Sequence, residues 1–245
     1  MKILLAYRLV RVLLHVLSGV TICALLFPWL GNQARNRRIR RWSGQLLGMC
    51  NVRVELAPGA ESALEQVMVV CNHVSWLDIF VILSVHPCRF VAKSEIRGWP
   101  MLGWLADKAG TIFIARGNRR DLRHLFTGLV EKLLEGQRVA FFPEGTTAAQ
   151  GNLLPFHPNL FEAAIDAKVP VQPFAVSYLD GQGTVHPAVD FIGDTSFAES
   201  LAAILGGPPV RARLACLAPI GTEGAHRREL AQASYQAVAT ALASV

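Results

Sequence analysis

At 245 residues the chain has room for one domain of ordinary size plus an accessory segment. Hydrophobic residues make up 52% and charged residues only 17%, which is high apolar content for a freely soluble protein. A formal charge of +6 and a pI near 9.4 call for an anionic partner. With so apolar a composition that partner is a membrane surface rather than nucleic acid. No zinc-finger spacing, basic-region heptad or aromatic RNA-binding stretch supports the nucleic-acid reading. Cys23, Cys50, Cys71, Cys88 and Cys216 include no C-x-x-C pair, and an odd, scattered set fits buried thiols in a reducing compartment better than a disulfide framework.

The first predicted element is apolar. Val12 to Leu30 is 19 residues long, with His15 its sole titratable side chain apart from Cys23. As a helix it would measure about 28 Å, close to the ~30 Å hydrocarbon core of a bilayer. Lys2, Arg8 and Arg11 precede it, and Arg35, Arg37, Arg38, Arg40 and Arg41 follow. No A-x-A-like cleavage site follows, so the segment is expected to be retained. Pro28 and Gly31 permit a bend, so a span, an interfacial helix and a returning helical hairpin all remain open. The Arg35–Arg41 run beside Trp42 fits anionic lipid headgroups. Both flanks are basic, so the positive-inside rule alone does not choose an orientation, but the larger downstream cluster favours a main domain on the cytoplasmic side of the inner membrane. The expected division is a membrane-associated segment, 1–48, and a catalytic-type domain, 49–245.

Strands and helices then alternate. Predicted strands are Val52–Leu56, Val67–Cys71, Arg89–Ala92, Thr111–Ile114, Arg138–Phe142, Val171–Tyr178, Val189–Ile192 and Arg211–Leu217. Predicted helices are Trp76–Val85, Met101–Lys108, Arg119–Glu135, Asn159–Ala167, Phe197–Leu205 and His226–Leu242. The pattern predicts an α/β fold with a largely parallel sheet flanked by helices. Ligands in such sheets bind at the carboxyl ends of strands.

Three stretches at such strand ends carry chemistry. In Asn72-His73-Val74-Ser75-Trp76-Leu77-Asp78 an imidazole and a carboxylate stand five residues apart at a strand-to-helix junction. Ser75-Trp76-Leu77-Asp78 has the S-x-x-D form of a capping box, which predicts Ser75 as the N-cap. Helical side chains lean toward the N-terminus, so Asp78 in the first turn can reach His73 in the loop before it. An acid on one ring nitrogen leaves the other as a base near neutral pH. In Phe142-Pro143-Glu144-Gly145-Thr146 a sharp turn presents a carboxylate, which could bind a substrate hydroxyl, hold a basic residue or simply be exposed. Gly110 to Arg116 ends a strand in a guanidinium suited to phosphate or carboxylate, or to an ion pair with Glu144 or Asp107.

Together with Val169-Pro170-Val171-Gln172-Pro173, these blocks stand in the order found in the glycerolipid acyltransferases, the 1-acylglycerol-3-phosphate acyltransferases and their relatives. The resemblance runs from about Arg40 to Tyr178. It implies acyl transfer from acyl-CoA or acyl carrier protein to the free hydroxyl of a lysolipid, without cofactor or metal. It further implies His73 as general base, Asp78 as its orienting acid, and Asn72, Arg116, Glu144, Gly145 and Thr146 as substrate-binding residues. Two departures bear on the acceptor. Thr147 follows E-G-T where the family usually has arginine, and Phe156-His157-Pro158-Asn159 replaces an F-K-x-G block. Each removes a permanent cation, although Lys93 and Arg119 remain available. The E-G-T-T form also resembles bacterial lyso-ornithine lipid acyltransferases. Competing readings are a non-catalytic lipid-binding protein and a metallohydrolase. For the latter, His86, His124, His157, His186 and His226 are too scattered to form a second ligand cluster.

Overall fold

Runs such as Val67–Cys71 and Val171–Leu179 are buried residue after residue, as strands covered on both faces must be. The computed structural model of the chain describes residues 2–57, 62–114 and 119–244, the side chains of residues 2 and 119–125 excepted. Two helices come first, α1 (Lys2–Leu25) and α2 (Asn32–Met49). They are followed by β1 (Val52–Leu56), β2 (Val67–Cys71), α3 (Leu77–Val85), β3 (Arg89–Lys93), α4 (Leu102–Lys108) and β4 (Ile112–Ile114). Then come α5 (Arg119–Leu134), β5 (Arg138–Phe141), α6 (Glu162–Asp166), β6 (Val171–Leu179), α7 (Phe197–Gly206), β7 (Val210–Cys216) and α8 (Arg227–Ala243).

The sheet order is β1-β7-β6-β2-β5-β3-β4. From β6 to β4 the strands are parallel, while β7 pairs antiparallel with β6 and carries β1 with it. The architecture is the mostly parallel α/β sheet that the alternation predicts. Side-chain parity splits the core in two. Val69, Cys71, Phe174, Val176 and Leu214 face α3, α2 and α7, whereas Met68, Val70 and Val171 face α5, α6 and α8. All five cysteines are free and buried. Burial pushes the Cys50 and Cys88 thiols up to about 12, so neither is a nucleophile at neutral pH.

Three expectations are corrected. The apolar helix is not Val12–Leu30 but begins at Lys2 and ends at Leu25. Arg8, assigned to a basic flank, is instead absorbed into it, because its guanidinium donates to the Leu205 carbonyl at the end of α7. The Arg35–Arg41 run is helical. It forms part of α2, whose inner stripe of Ile39, Ser43, Leu46 and Leu47 is buried. Val189–Ile192 is not a strand, since Pro187 starts a short 3-10 turn there and the Phe191 N–H bonds the Val74 carbonyl instead of a ladder.

α1 and α2 form the hairpin that Pro28 and Gly31 permit, with a 3-10 turn at Phe27–Trp29 and Gly31 as the N-cap of α2. One lock joins them. His15 Nε2 and the Trp42 carbonyl lie 2.9 Å apart, the Trp42 indole N–H donates to the His15 carbonyl at 3.1 Å, and the two rings stack at 4.6 Å. Gly19 makes room, as a Cβ there would come within 2.8 Å of the Trp42 indole nitrogen. α1 also touches α4 and α7. Its opposite face leaves Ile3, Leu4, Tyr7, Val10, Leu13, Leu14 and Leu17 exposed. By length and hydropathy, Ile3–Leu25 is a candidate membrane span.

Candidate active site

The parallel register brings two of the motifs together. β2 pairs with β5 so that Val70 lies beside Phe141. Continued three residues past the strand ends, that register sets His73 level with Glu144. On its other side β2 aligns Cys71 with Phe174 of β6. Asn72 continues that ladder with its side chain. Its amide nitrogen donates to the Val176 carbonyl at 3.0 Å, and its amide oxygen accepts from the Val176 N–H at 2.8 Å. The residue is buried, with its amide committed to the chain itself.

His73 Nδ1 lies 2.7 Å from Asp78 Oδ2. The same oxygen accepts the Val74 and Ser75 N–H groups at 2.8 and 2.9 Å. Oδ1 accepts the Tyr178 hydroxyl at 2.6 Å. Asp78 has no solvent exposure, so these donors and the N-terminus of α3 replace its hydration. An isolated buried carboxylate would be costly. This one accepts from four donors, and the arrangement fixes the orientation of the ring. Burial and the Asp78 charge push the Tyr178 hydroxyl well above its ordinary range, which keeps it a donor.

The predicted capping box forms only half-way. The Asp78 carboxylate does accept from the Ser75 N–H, but the helix begins at Leu77 and the Ser75 hydroxyl is buried without a partner among the described residues. The loop instead wraps its N–H groups around the acid. That wrapping ties Asp78 to the loop that carries the imidazole.

Glu144 is buried rather than exposed at its turn. Its Oε1 accepts the His73 N–H at 2.7 Å and its Oε2 accepts the Leu154 N–H at 2.8 Å. Burial raises its pKa, and these two donors act against that rise. Both carboxylate oxygens are therefore engaged by main chain. Arg116 itself lies outside the described residues. Asp107 pairs with Arg97 at 3.1 Å. Gly145 adopts φ +70°, a conformation that suits glycine, and Gly145 and Thr146 are exposed on the turn beyond the acid. Thr147, at the first departure from the family pattern, donates its hydroxyl to the Phe191 carbonyl. His157, at the second, packs beside Gly145, where a Cβ would stand 3.5 Å from the ring.

The imidazole of His73 lies flat on Phe142, centroids 3.8 Å apart and planes within 6°. Its side chain keeps 18% exposure, and Nε2 makes no hydrogen bond among the described residues. One ring nitrogen is thus held and the other is open. This is the geometry of a general base. Tyr178 and Phe142 were not foreseen as site residues. Side-chain parity along β6, which puts Tyr178 on the same face as Phe174 and Val176, is the signal that could have found the tyrosine.

Residues 53–177 match the Acyltransferase family. The chain is 38% identical over 208 residues to the lyso-ornithine lipid O-acyltransferase of Pseudomonas aeruginosa, covering 85% of this chain and 79% of that protein. It is 40% identical over 163 residues to the 1-acyl-sn-glycerol-3-phosphate acyltransferase of Neisseria meningitidis, covering 66% of this chain and 64% of that one. The crystal structure of the 1-acyl-sn-glycerophosphate acyltransferase PlsC from Thermotoga maritima superposes with a TM-score of 0.64, covering 97% of both chains at 22% identity. That last likeness is one of fold.

Proposed function

Because the chain belongs to the acyltransferase family and is an enzyme of that kind, we propose that it acylates 1-acyl-glycerol-3-phosphate on its free hydroxyl, giving phosphatidic acid. The donor is an acyl thioester, acyl-CoA or acyl carrier protein. The observation that carries the reading is the 2.7 Å contact between His73 and a wholly buried Asp78. His73 Nε2 removes the acceptor's proton as its oxygen attacks the thioester carbonyl. The ring charge that develops is stabilised by the Asp78 carboxylate. The tetrahedral intermediate then expels the thiolate, which takes up the proton from the imidazolium. No acyl-enzyme is required.

In this reading Asn72 and Glu144 are positioning residues, the first through Val176 and the second through the His73 main chain. Gly145 and Thr146 border the acceptor, and Arg116 holds its anionic headgroup. The hairpin of residues 1–48 is the membrane-associated segment and 49–245 the catalytic domain. α1 lies in the interface of the inner membrane rather than across it, because Val12, His15 and Cys23 on its inner side are buried against the rest of the chain. The site then faces the cytoplasm.

A second acceptor, lyso-ornithine lipid, is supported by the similarity to the Pseudomonas protein and by the two lost cations at Thr147 and His157. Purified protein given labelled acyl donor with both acceptors side by side decides between them. Faster transfer to the phosphate lipid is expected, and clear preference for lyso-ornithine lipid would replace the first reading with the second. Folded His73→Ala should be slower by ~10²–10⁴-fold. Undiminished turnover by that variant would refute His73 as the base.

A further inference from the structure

The connection between β3 and β4 carries large apolar side chains where a soluble surface would carry polar ones. Trp99, Met101 and Trp104 are 40%, 43% and 38% exposed within six residues. Leu105 and Ala109 turn the other face of α4 into the core, so Met101, Trp104 and Lys108 form the outward stripe. The backbone holds that presentation. Met101 sits at φ +58°, and a Cβ on Gly103 would approach the Arg97 carbonyl to 2.3 Å, so the turn is wound as tightly as the chain allows.

Cations rim the patch. Lys93, Arg97 and Glu95 are exposed, and Lys108 Nζ stands 5.7 Å from the Trp104 ring centroid. Asp107 pairs with Arg97 at 3.1 Å and lies 4.0 Å from Lys108, which leaves the rim net positive. A surface of aromatic and thioether groups ringed by basic ones matches the boundary between headgroups and acyl chains of an anionic bilayer. Two positions support that match. α4 touches α1, so the patch stands beside the hairpin. β3 runs parallel to β5, and β5 to β2, so the segment leaves the sheet at the edge that carries His73. Trp99 meets Phe197 at 6.0 Å and Phe197 meets Trp76 at 5.1 Å, which links the patch by ring contacts to the His73–Asp78 segment.

We propose that Ser94–Lys108 is a second membrane-docking element. Trp99, Met101 and Trp104 enter an anionic leaflet, Lys93, Arg97 and Lys108 lie among its headgroups, and the catalytic edge is pressed against the lipid from which the acceptor comes. This rests on the reading that α1 lies in the membrane surface, so the test treats the two separately. The five native cysteines are buried, so Met101→Cys and Leu14→Cys in the full chain can each be labelled with an environment-sensitive maleimide dye. The probe is vesicles of equal parts phosphatidylglycerol and phosphatidylethanolamine, with and without brominated acyl chains. Blue-shifted emission and bromine quenching are expected at both positions. The double variant Met101→Glu, Trp104→Glu should bind the same vesicles about tenfold more weakly. A Leu14 response with a silent Met101 overturns the proposal and leaves the anchoring by α1 intact. Silence at both overturns both. A Met101 response to protein concentration without lipid assigns the patch to a protein partner and also overturns the proposal.

Discussion

At the sheet edge that bears His73, ionisable groups lie inside the protein, while along α1 large apolar groups lie outside it. Both arrangements invert the usual distribution, and they are compensated differently. Asp78 and Glu144 are 0% and 4% exposed, yet each of their four oxygens accepts from an N–H or O–H of the chain itself. The outer face of α1 has no such internal answer. Tyr7, Leu13 and Leu14 are 50–60% exposed, and a contiguous apolar face of that kind marks a surface completed by something else. The site is therefore preorganised before substrate arrives. The exposed apolar face of the hairpin fits association with a membrane.

The sharpest way to break this contrast is to remove the charge at Asp78 while keeping its shape. In Asp78→Asn the amide oxygen can still accept from the loop N–H groups, but the developing imidazolium loses its counter-charge. Turnover should fall by ~10²–10⁴-fold with vesicle binding unaffected. Equal loss of vesicle binding would mean that the two regions are not independent.

His86 sharpens it at a smaller scale, as an ionisable group whose burial outweighs the pull of Glu65 and which stays neutral instead. It caps the C-terminal end of α3, where the helix dipole favours a cation, yet burial outweighs that and lowers its pKa to about 4, with Arg138 and Arg40 adding to the effect. The unfolded chain therefore binds more protons between about pH 6.5 and 4. Stability from this group is whole above pH 6.5 and is lost as pH falls toward 4. Over that window about 2 kcal/mol should disappear, and His86→Gln should flatten the decline. Urea midpoints measured across the range give the answer. The same acid slope in parent and variant would exclude His86 as its source.

The smallest effect concerns the exposed cations on α2. Arg37→Ala with Arg38→Ala should cost about 1 kcal/mol of vesicle binding per charge, with that cost shrinking in high salt and turnover on detergent-dispersed acceptor little changed. Sedimentation with anionic and neutral vesicles reads it. A loss that is equal on neutral vesicles would argue against headgroup contact.

Much of the fold was legible because it depends on near neighbours. Val67–Cys71 and Val52–Leu56 are strands over the predicted residues, and the leucine stripe of Arg119–Glu135 becomes α5, one residue shorter. α2 was hidden because five arginines mask its inner stripe of Ile39, Leu46 and Leu47 from a reading by hydropathy. The His73–Asp78 contact was legible for the same reason as the strands, since a strand end and one helical turn bring residues five apart together. Tyr178 was not, being a hundred residues from the acid it serves.

From its own sequence, then, the chain settles the alternation of strands and helices, the apolar N-terminus, and the pairing of an imidazole with an acid across one short loop. These rest on torsional preference and side-chain spacing over a few residues. Only the tertiary structure decides that Glu144 braces the His73 main chain, that Asn72 locks onto Val176, that Tyr178 completes the shell of Asp78, and that α1 turns one face inward. Each of these depends on strand register and packing between segments far apart in the chain, which local spacing does not specify.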